Sequence, residues 1–423
     1  MNQYSKKNLI VITLFFLSIQ LLNAQTVWAR YPRNLIMTKT LNSYEGTFIG
    51  SPSIIDEGDT LKMLYAVNAS AQGRISYAFS IDAGITWTKY NNATPIFDVG
   101  SIGSWDSYFL DTPDWIKDKA GYKMYYFGDT DNSSVDASIG LATSSNGINW
   151  TRSGPAPVLK KGNLGDWDGL FVGDPTVVYD GEGYYMWYSG IDTTWQVKIG
   201  FATSSDGITW AKHPGNPVLN GGLLSSWEGY GVGVPTVIKR NGQFEMWYNG
   251  VSYFDVLDNG LVDTIRIGFA TSTNGINWTK SKLNPIFNTY DAGYNLTEYR
   301  GPWAPDVVHR PTDNKYYMWY ETGYGFGLST SPDNILSTST THPFPINFSI
   351  YPNPASESIT IKHSDIGNKG RIQIFNSMGI LLNEVDITQQ AQASQINIAG
   401  LPKGLYFIRI ANLSERVQKF IKH

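Results

Sequence analysis

One unit is written five times between residues 44 and 330, and this repetition limits what the chain can fold into more than any other feature. Its clearest copy reads Trp167-Asp168-Gly169, then Asp174-Pro175-Thr176-Val177-Val178, then Tyr184-Tyr185-Met186-Trp187-Tyr188, then Ile199-Gly200-Phe201-Ala202-Thr203-Ser204-Ser205-Asp206-Gly207-Ile208-Thr209-Trp210. A proline marks the register at Pro52, Pro113, Pro175, Pro235 and Pro305, at intervals of 61, 62, 60 and 70 residues. Each copy holds four short β-type runs, and Asn146-Gly147, Asp206-Gly207 or Asn274-Gly275 stands between the third and fourth. Such pairs tolerate φ > 0 at both turn positions and signal a tight hairpin. Four strands per unit, at a period slightly longer than that of common propeller repeats, predict a β-propeller. Solenoids use shorter repeats and need capping units.

The sequence also predicts how the ring closes. The fifth copy has its third run at 326–330, but no hairpin Trp follows Asp333-Asn334. The segment Trp28-Ala29-Arg30-Tyr31-Pro32-Arg33-Asn34-Leu35-Ile36-Met37 aligns without a gap on Trp210-Ala211-Lys212-His213-Pro214-Gly215-Asn216-Pro217-Val218-Leu219. The missing strand is therefore expected from the start of the mature chain, which gives five blades and no open edge.

Composition agrees with an all-β, turn-rich protein: aromatic residues are 14% and charged residues only 16% of 423, with 42 Gly. A net charge of −4 gives no basic footprint for nucleic acid. The absence of Cys excludes disulfides and cysteine zinc sites. Lys6 and Lys7 precede an apolar run over 9–22 that ends at Asn23-Ala24-Gln25, a pattern expected of a signal peptide over 1–24 and not of an anchor. The propeller is then assigned to 25–336. Ser337-Thr338-Ser339-Thr340-Thr341 with Pro343 and Pro345 marks a linker over 337–347, and 348–423 is a separate small β-sandwich.

That last unit carries Tyr351-Pro352-Asn353-Pro354-Ala355, Ile372-Gln373-Ile374-Phe375-Asn376-Ser377-Met378-Gly379 and Leu401-Pro402-Lys403-Gly404-Leu405-Tyr406-Phe407-Ile408-Arg409-Ile410, and ends near Lys419 and Lys422. It resembles the type A C-terminal sorting domain of Bacteroidetes type IX secretion cargo. The resemblance implies the type IX machinery as a partner, a secreted or cell-surface location, and no catalytic role for this unit.

The propeller, through Gly173-Asp174-Pro175-Thr176-Val177-Val178, its Tyr-Met-Trp-Tyr strands and Trp303-Ala304-Pro305-Asp306-Val307-Val308, resembles the five-bladed fold of glycoside hydrolase families 43 and 32. The resemblance implies action on glycosidic bonds of a polysaccharide or oligosaccharide by three carboxylates in the funnel, commonly just before a proline. The chemistry needs two carboxyls flanking the bond, one held protonated by its surroundings. Here the residue before the proline is Ser51, Thr112, Asp174, Val234 or Ala304, so only blade three carries an acid in that slot. This departure leaves two readings open, a hydrolase or a glycan-binding propeller that has lost the trio.

Aligned copies separate what every blade needs from what one blade has. The catalytic candidates are Asp174, Asp111, Asp114 and Asp306, with Glu321 as the general acid. The last four replace different residues in the other copies. Strand alternation is expected to point the residues before and after the proline to one side. An acid seven positions before the proline recurs as Glu45, Asp106, Asp168, Glu228 and Glu298, which reads as a turn cap in each blade. Trp87, Trp150, Trp210 and Trp278 recur beside a Ser/Thr-x-Asp/Asn-Gly turn that resembles the Asp-box of sialidases, and read as packing between blades. The unrepeated Trp115, Trp195, Trp303, Tyr253, Phe254 and Tyr294 are candidates for stacking on sugar rings. Arg300 is placed to clamp an anionic sugar or to pair with Glu298. The five His form no metal-ligand spacing, and Gly-x-Ser-x-Gly is absent. No metal or cofactor is called for, although an acidic funnel could hold calcium.

Overall fold

The computed structural model describes residues 28–41, 43–69, 72–131, 137–252, 265–288, 301–332, 348–363, 371–376, 381–386, 393–411 and 417–423. The expected signal peptide and linker, together with Tyr253, Phe254, Tyr294, Glu298 and Arg300, lie outside the described residues.

The repeat folds as five antiparallel four-strand blades. Their innermost strands are Ile49–Asp56, Phe109–Asp118, Phe171–Tyr179, Gly231–Arg240 and Trp303–Arg310. Each packs against the next, and the fifth returns to the first, so the ring is closed. The second strands, Leu61–Ala69, Gly121–Asp129, Tyr184–Ile191, Gln243–Val251 and Lys315–Glu321, carry the aromatic motif. The third strands follow as Gln72–Ser80, Ser138–Ser144, Val197–Ser204, Ile265–Ser272 and Gly325–Pro332. Short outer strands complete blades one to four at Thr88–Lys89, Thr151–Arg152, Ala211–Lys212 and Thr279–Lys280.

The outer strand of blade five is Ala29–Arg30, as the alignment predicts. Ala29 pairs with Thr330 and Arg30 with Ser329, the same offset as Ala211 with Thr203 and Lys212 with Ala202. Asn34 Oδ1 accepts the Leu328 N–H at 2.9 Å, just as Asn216 accepts that of Phe201 at 2.9 Å and Asn284 that of Phe269 at 2.8 Å. Residues more than 290 positions apart thus reproduce a contact that is local elsewhere in the ring.

The blades adhere through aromatic pairs. Alternation along the second strand buries Met63, Met124, Met186, Met246 and Met318 completely, and the residue after each turns toward the next blade. Tyr125 donates to the Gly207 carbonyl at 2.7 Å, Trp187 to Gly275 at 2.8 Å and Trp319 to Gly84 at 3.3 Å, each in the hairpin of the following blade. Those hairpins are rigid. Ser80, Ser144, Ser204 and Ser272 each accept the glycine N–H of their own turn at 2.9 Å. Gly84, Gly147, Gly207 and Gly275 lie at φ of 79°, 76°, 70° and 75°, where a Cβ is disfavoured. The recurrent Trp87, Trp210 and Trp278 meet Trp319, Tyr125 and Trp187 edge to face. Trp28 does the same with Trp247 in closing the ring.

The second unit has two antiparallel sheets. One contains Phe348–Tyr351, Ser358–His363 and Ala393–Asn397, and the other Arg371–Asn376, Leu381–Asp386, Gly404–Ala411 and Val417–Lys422. Ile359, Ile361, Ile372, Ile374, Ile408 and Phe420 are fully buried between them, which makes this unit a small sandwich with its own core.

Candidate functional site

The innermost strands converge on a central channel lined by the prolines and their neighbours, including Ser51, Asp114, Asp174, Val234, Ala304 and Asp306. Every innermost strand is bulged at its proline. The register slips between Gly50 and Ser53, Asp111 and Asp114, Gly173 and Thr176, Gly233 and Thr236, and Trp303 and Asp306. The residue before each proline is left-handed, with φ of 49° at Ser51, 40° at Thr112, 48° at Asp174, 48° at Val234 and 44° at Ala304. Residues before and after the proline both reach the channel, as expected, but through the bulge that re-aims the side chain and not through simple alternation. Strain at the β-branched Thr112 and Val234 shows that the whole ring imposes the conformation.

The bulges leave backbone donors facing neighbouring blades, and two belts of side chains accept them. In the first, the residue after the second-strand aromatic pair accepts the N–H before the next blade's proline. Ser189 accepts from Val234 at 2.9 Å, Asn249 from Ala304 at 2.8 Å, and Glu321 from Ser51 at 3.2 Å. In the second, the residue after the proline accepts an N–H two positions beyond the proline of the next blade. Asp114 accepts from Val177 at 2.8 Å, Thr176 from Val237 at 3.2 Å, and Asp306 from Ile54 at 2.9 Å. Asp114, Asp306 and Glu321 therefore do the work that Thr, Ser and Asn do elsewhere. Their difference from the repeat is a difference of residue type and not of task.

The first belt is interrupted twice. Blade one offers Ala66, which has no acceptor, and blade two offers Phe127, which packs on Phe171 at 5.5 Å. Asp111 and Asp174 stand at these two gaps. Asp111 takes over locally, accepting the Thr112 N–H at 2.6 Å and the Ser51 hydroxyl at 2.9 Å. Burial raises its carboxyl against these lowering bonds. Asp174 is raised to about 6 by burial, held back by the Ser189 hydroxyl, and raised further by the charge of Asp111. Deeper in the channel, burial raises Asp306 to about 7, and burial with the charge of Asp306 raises Asp114 well above the usual range. The cavity among the channel residues is about 30 Å³, room for a water or two and not for a sugar ring. A glycan can meet Asp174 only from the funnel above.

The acid seven positions before the proline has a role the sequence did not reveal. Each described copy is buried and joins the second strand to the outer strand of its own blade. Glu45 accepts from Tyr65 at 2.9 Å and pairs with Lys89 at 2.7 Å. Asp106 does so with Tyr126 at 3.0 Å and Arg152 at 2.6 Å, and Glu228 with Tyr248 at 3.1 Å and Lys280 at 2.6 Å. Asp168 pairs with Lys212 at 2.6 Å, with Tyr188 at 3.4 Å. These are latches more than turn caps, and the signal that could have found them is the Lys or Arg recurring two residues after the hairpin Trp.

Among the aromatic candidates, Trp115 is corrected. It is 3% exposed, stacks on Tyr122 at 5.5 Å, meets Trp150 at 6.1 Å and donates to the Ser53 carbonyl at 3.1 Å. It fills the joint where blade one has Leu64 in place of the usual ring, so it was unrepeated because it compensates. Trp303 is half-buried at the start of the fifth innermost strand, opposite Glu321. Trp195 is 54% exposed at φ 62° on a turn pinned by Asp192, which accepts from the Thr194 N–H at 2.8 Å and pairs with Lys198 at 2.8 Å. That turn precedes the contact between Val197 and Gly231, where the third blade meets the mouth of the fourth. Among the described residues no His, Cys, Asp and Glu side chains group as a metal-ligand set.

Residues 349–423 match the secretion system C-terminal sorting domain, in agreement with the resemblance of the terminal motifs. A search of curated proteins gives no match. The fold is similar to a glycosyl hydrolase from Bacteroides ovatus, at 16% identity and TM-score 0.57 over 73% of this chain and 94% of that one. It is similar to a member of the GH130 family of mannoside phosphorylases, a family containing hydrolases that target β-1,2 mannosidic linkages in Candida mannan, at 16% identity and TM-score 0.58 over 73% and 94%. An α-L-arabinofuranosidase from Lactobacillus brevis aligns at 12% identity and TM-score 0.50 over 68% and 91%. At such identities the likeness establishes a glycoside hydrolase-like propeller fold and leaves activity to the site.

Proposed function

We propose that this is a secreted glycoside hydrolase that cleaves a polysaccharide or oligosaccharide in the propeller funnel, with Asp174 as proton donor and Asp111 as its partner carboxylate. The observation that carries this reading is the placement of both acids where the first belt is broken, on neighbouring blades two and three, near enough for the charge of Asp111 to raise Asp174. Both carboxyls are raised, and Asp174, at about 6, keeps its proton under mildly acidic conditions. A protonated Asp174 gives its proton to the glycosidic oxygen as the bond to the leaving sugar breaks. Ionised Asp111 faces the anomeric centre, as base toward water or as nucleophile. Trp195, exposed on the turn between the second and third strands of blade three, offers a face for a sugar ring. The sorting domain implies export through type IX secretion.

Asp174→Asn and Asp111→Asn, assayed for product release across a polysaccharide panel, are each expected to lower turnover by orders of magnitude with the fold kept and no loss of thermal stability. Full activity in Asp174→Asn would falsify the assignment. A second reading is favoured by one observation: four of the five residues before the prolines are not acidic. In that reading the funnel binds a glycan without cleaving it. Retention on a glycan that yields no product from the unmodified chain, with retention lost in Trp195→Ala, would select it.

A further inference from the structure

Three blades lay an asparagine against their third strand at one repeated position. Asn216, Asn284 and Asn34 accept the N–H of Phe201, Phe269 and Leu328, and donate an amide N–H to the carbonyl of the same residue at 3.0, 3.0 and 3.2 Å. Both ends of the amide are thus spent on one strand residue, just beyond the pairing of the short outer strand. Blade one, one residue longer here, lays the buried Ala93 over that place instead, where its carbonyl accepts the Ser76 hydroxyl at 3.4 Å. Blade two does neither. Ala156 stands at the asparagine position in a gap-free alignment from Trp150 to Leu159, and 153–156 are exposed.

The strand residue left uncovered is Leu141. Tyr125 stands opposite it as Trp187 stands opposite Phe201, so its N–H faces the same way. Its carbonyl takes the Ser153 N–H at 2.9 Å, as that of Phe201 takes the His213 N–H at 2.9 Å. Among the described residues no side chain accepts the Leu141 N–H, and a peptide donor in such a place calls for a partner. The space is a cleft of about 340 Å³ with Leu141 at its base, Pro155, Ala156 and Val158 on one side, and Ile208 and Trp210 of blade three on the other. It shares no residue with the central channel. A second donor in its wall is unspent. Trp87, Trp150 and Trp278 donate to their turn glycine at 2.9, 3.2 and 3.0 Å, whereas the buried indole N–H of Trp210 has no acceptor among the described residues.

Such a place takes a group that presents an acceptor and a donor side by side. Two neighbouring sugar hydroxyls do so, since each hydroxyl both accepts and donates. A carboxamide does so too, but an amide alone fills only a small part of the cleft. One sugar ring suits a space at the small end of ligand sites, which run from about 300 to 1,000 Å³. The walls suit a ring as well, with prolines and aliphatic groups on one side and a flat indole on the other for an apolar sugar face. No charged side chain lines the cleft, which favours a neutral sugar over a uronate or a sulfated one.

We propose that this cleft, between the outer strand of blade two and the hairpin of blade three, is a second glycan subsite that holds one neutral pyranose unit. One hydroxyl oxygen accepts the Leu141 N–H, its neighbour donates to the Leu141 carbonyl, and the ring lies on Trp210. The ligand class rests on the glycan reading above, and cleavage in the funnel is not required. The test is an NMR titration of the full secreted chain, carrying isotope-labelled leucine, with tetrasaccharides of glucose, mannose, galactose and xylose. The Leu141 amide signal, assigned by its loss in Leu141→Met, should shift and saturate with at least one of them. Ala156→Asn supplies the residue that three blades already use. It should weaken that binding at least about tenfold, the scale of two lost hydrogen bonds, and unfold at the same temperature or higher. Trp210→Phe, which keeps a smaller ring, should weaken it severalfold. Asp174→Asn and Trp195→Ala should leave the Leu141 titration unchanged. A chain that binds sugar here and releases no product would thus keep this proposal and lose the hydrolase reading. No shift with any of the sugars, an unchanged titration in Ala156→Asn, or loss of the shift in Asp174→Asn would overturn the proposal. So would a Leu141 shift with acetamide or an Asn-Pro dipeptide and with no sugar, which would make the cleft a site for a peptide carboxamide.

Discussion

At the scale of single residues, the channel separates carboxylates that accept a backbone N–H from the next blade from those that stand at the two gaps of the first belt. Glu321 and Asp174 make the contrast testable. Glu321 accepts the Ser51 N–H, a task a glutamine carbonyl can also perform. Glu321→Gln should therefore keep turnover, while Glu321→Ala strands a buried donor and should cost about 1–3 kcal/mol in a denaturant melt. Loss of turnover in the Gln variant with stability intact would return Glu321 to the role of general acid. For Asp174, a carboxyl raised to about 6 is protonated below that pH and ionised above it. A proton donor with this property gives a kcat/KM profile that declines above about pH 6, and a rate still rising at pH 8 would exclude it.

At the scale of the element, the latch and the ring seam decide whether a blade stays whole. Asp168 is almost wholly buried against Lys212, so Asp168→Ala leaves Lys212 without its counter-ion and the Tyr188 hydroxyl without this acceptor. A loss of about 3 kcal/mol in thermal or denaturant unfolding is expected, and a loss near zero would mean that solvent already satisfies Lys212. Trp28→Ala, at the seam, should cost about 3–5 kcal/mol, because its ring packs on Trp247 and closes blade five. The strands and the seam were legible in the sequence because the repeat compares each blade with four others. Trp28 to Met37 could be placed in blade five by alignment alone. What the alignment could not carry was substitution of kind within one task. Asp114, Asp306 and Glu321 looked like departures because Thr, Ser and Asn stand in their places, yet all accept one backbone N–H. Trp115 looked unique because the Leu64 it compensates for lies on another blade. The latches escaped notice because acid and base are separated by 44 positions in blades one and three and meet only when the outer strand pairs.

At the scale of the whole molecule, the two sets of shifted carboxyls set opposite pH limits on stability. Asp174 and Asp306 are raised to about 6 and about 7, and Asp114 is raised well above the usual range, all chiefly by burial. A group that binds its proton more tightly when folded contributes stability fully below its unfolded pKa, near 3.9, and loses that contribution as pH rises through the folded value. Stability of the ring should fall between about pH 4 and pH 7. In the other direction, Glu57 and Asp192 are lowered to about 2, with burial opposing and Lys117 and Lys62, or Lys198, outweighing it. Their contribution is present above the unfolded value and lost as pH falls through about 2, and it is modest because these pairs lie near solvent. The melting temperature of the propeller is thus expected to peak near pH 4–5 and to decline toward pH 8. Asp306→Asn keeps an acceptor for the Ile54 N–H and removes the charge that must be buried at high pH. This variant should melt higher than the unmodified chain at pH 8, show a flatter profile between pH 5 and pH 8, and keep its turnover. A variant that melts lower at pH 8 would mean that the ionised Asp306 is itself compensated within the channel.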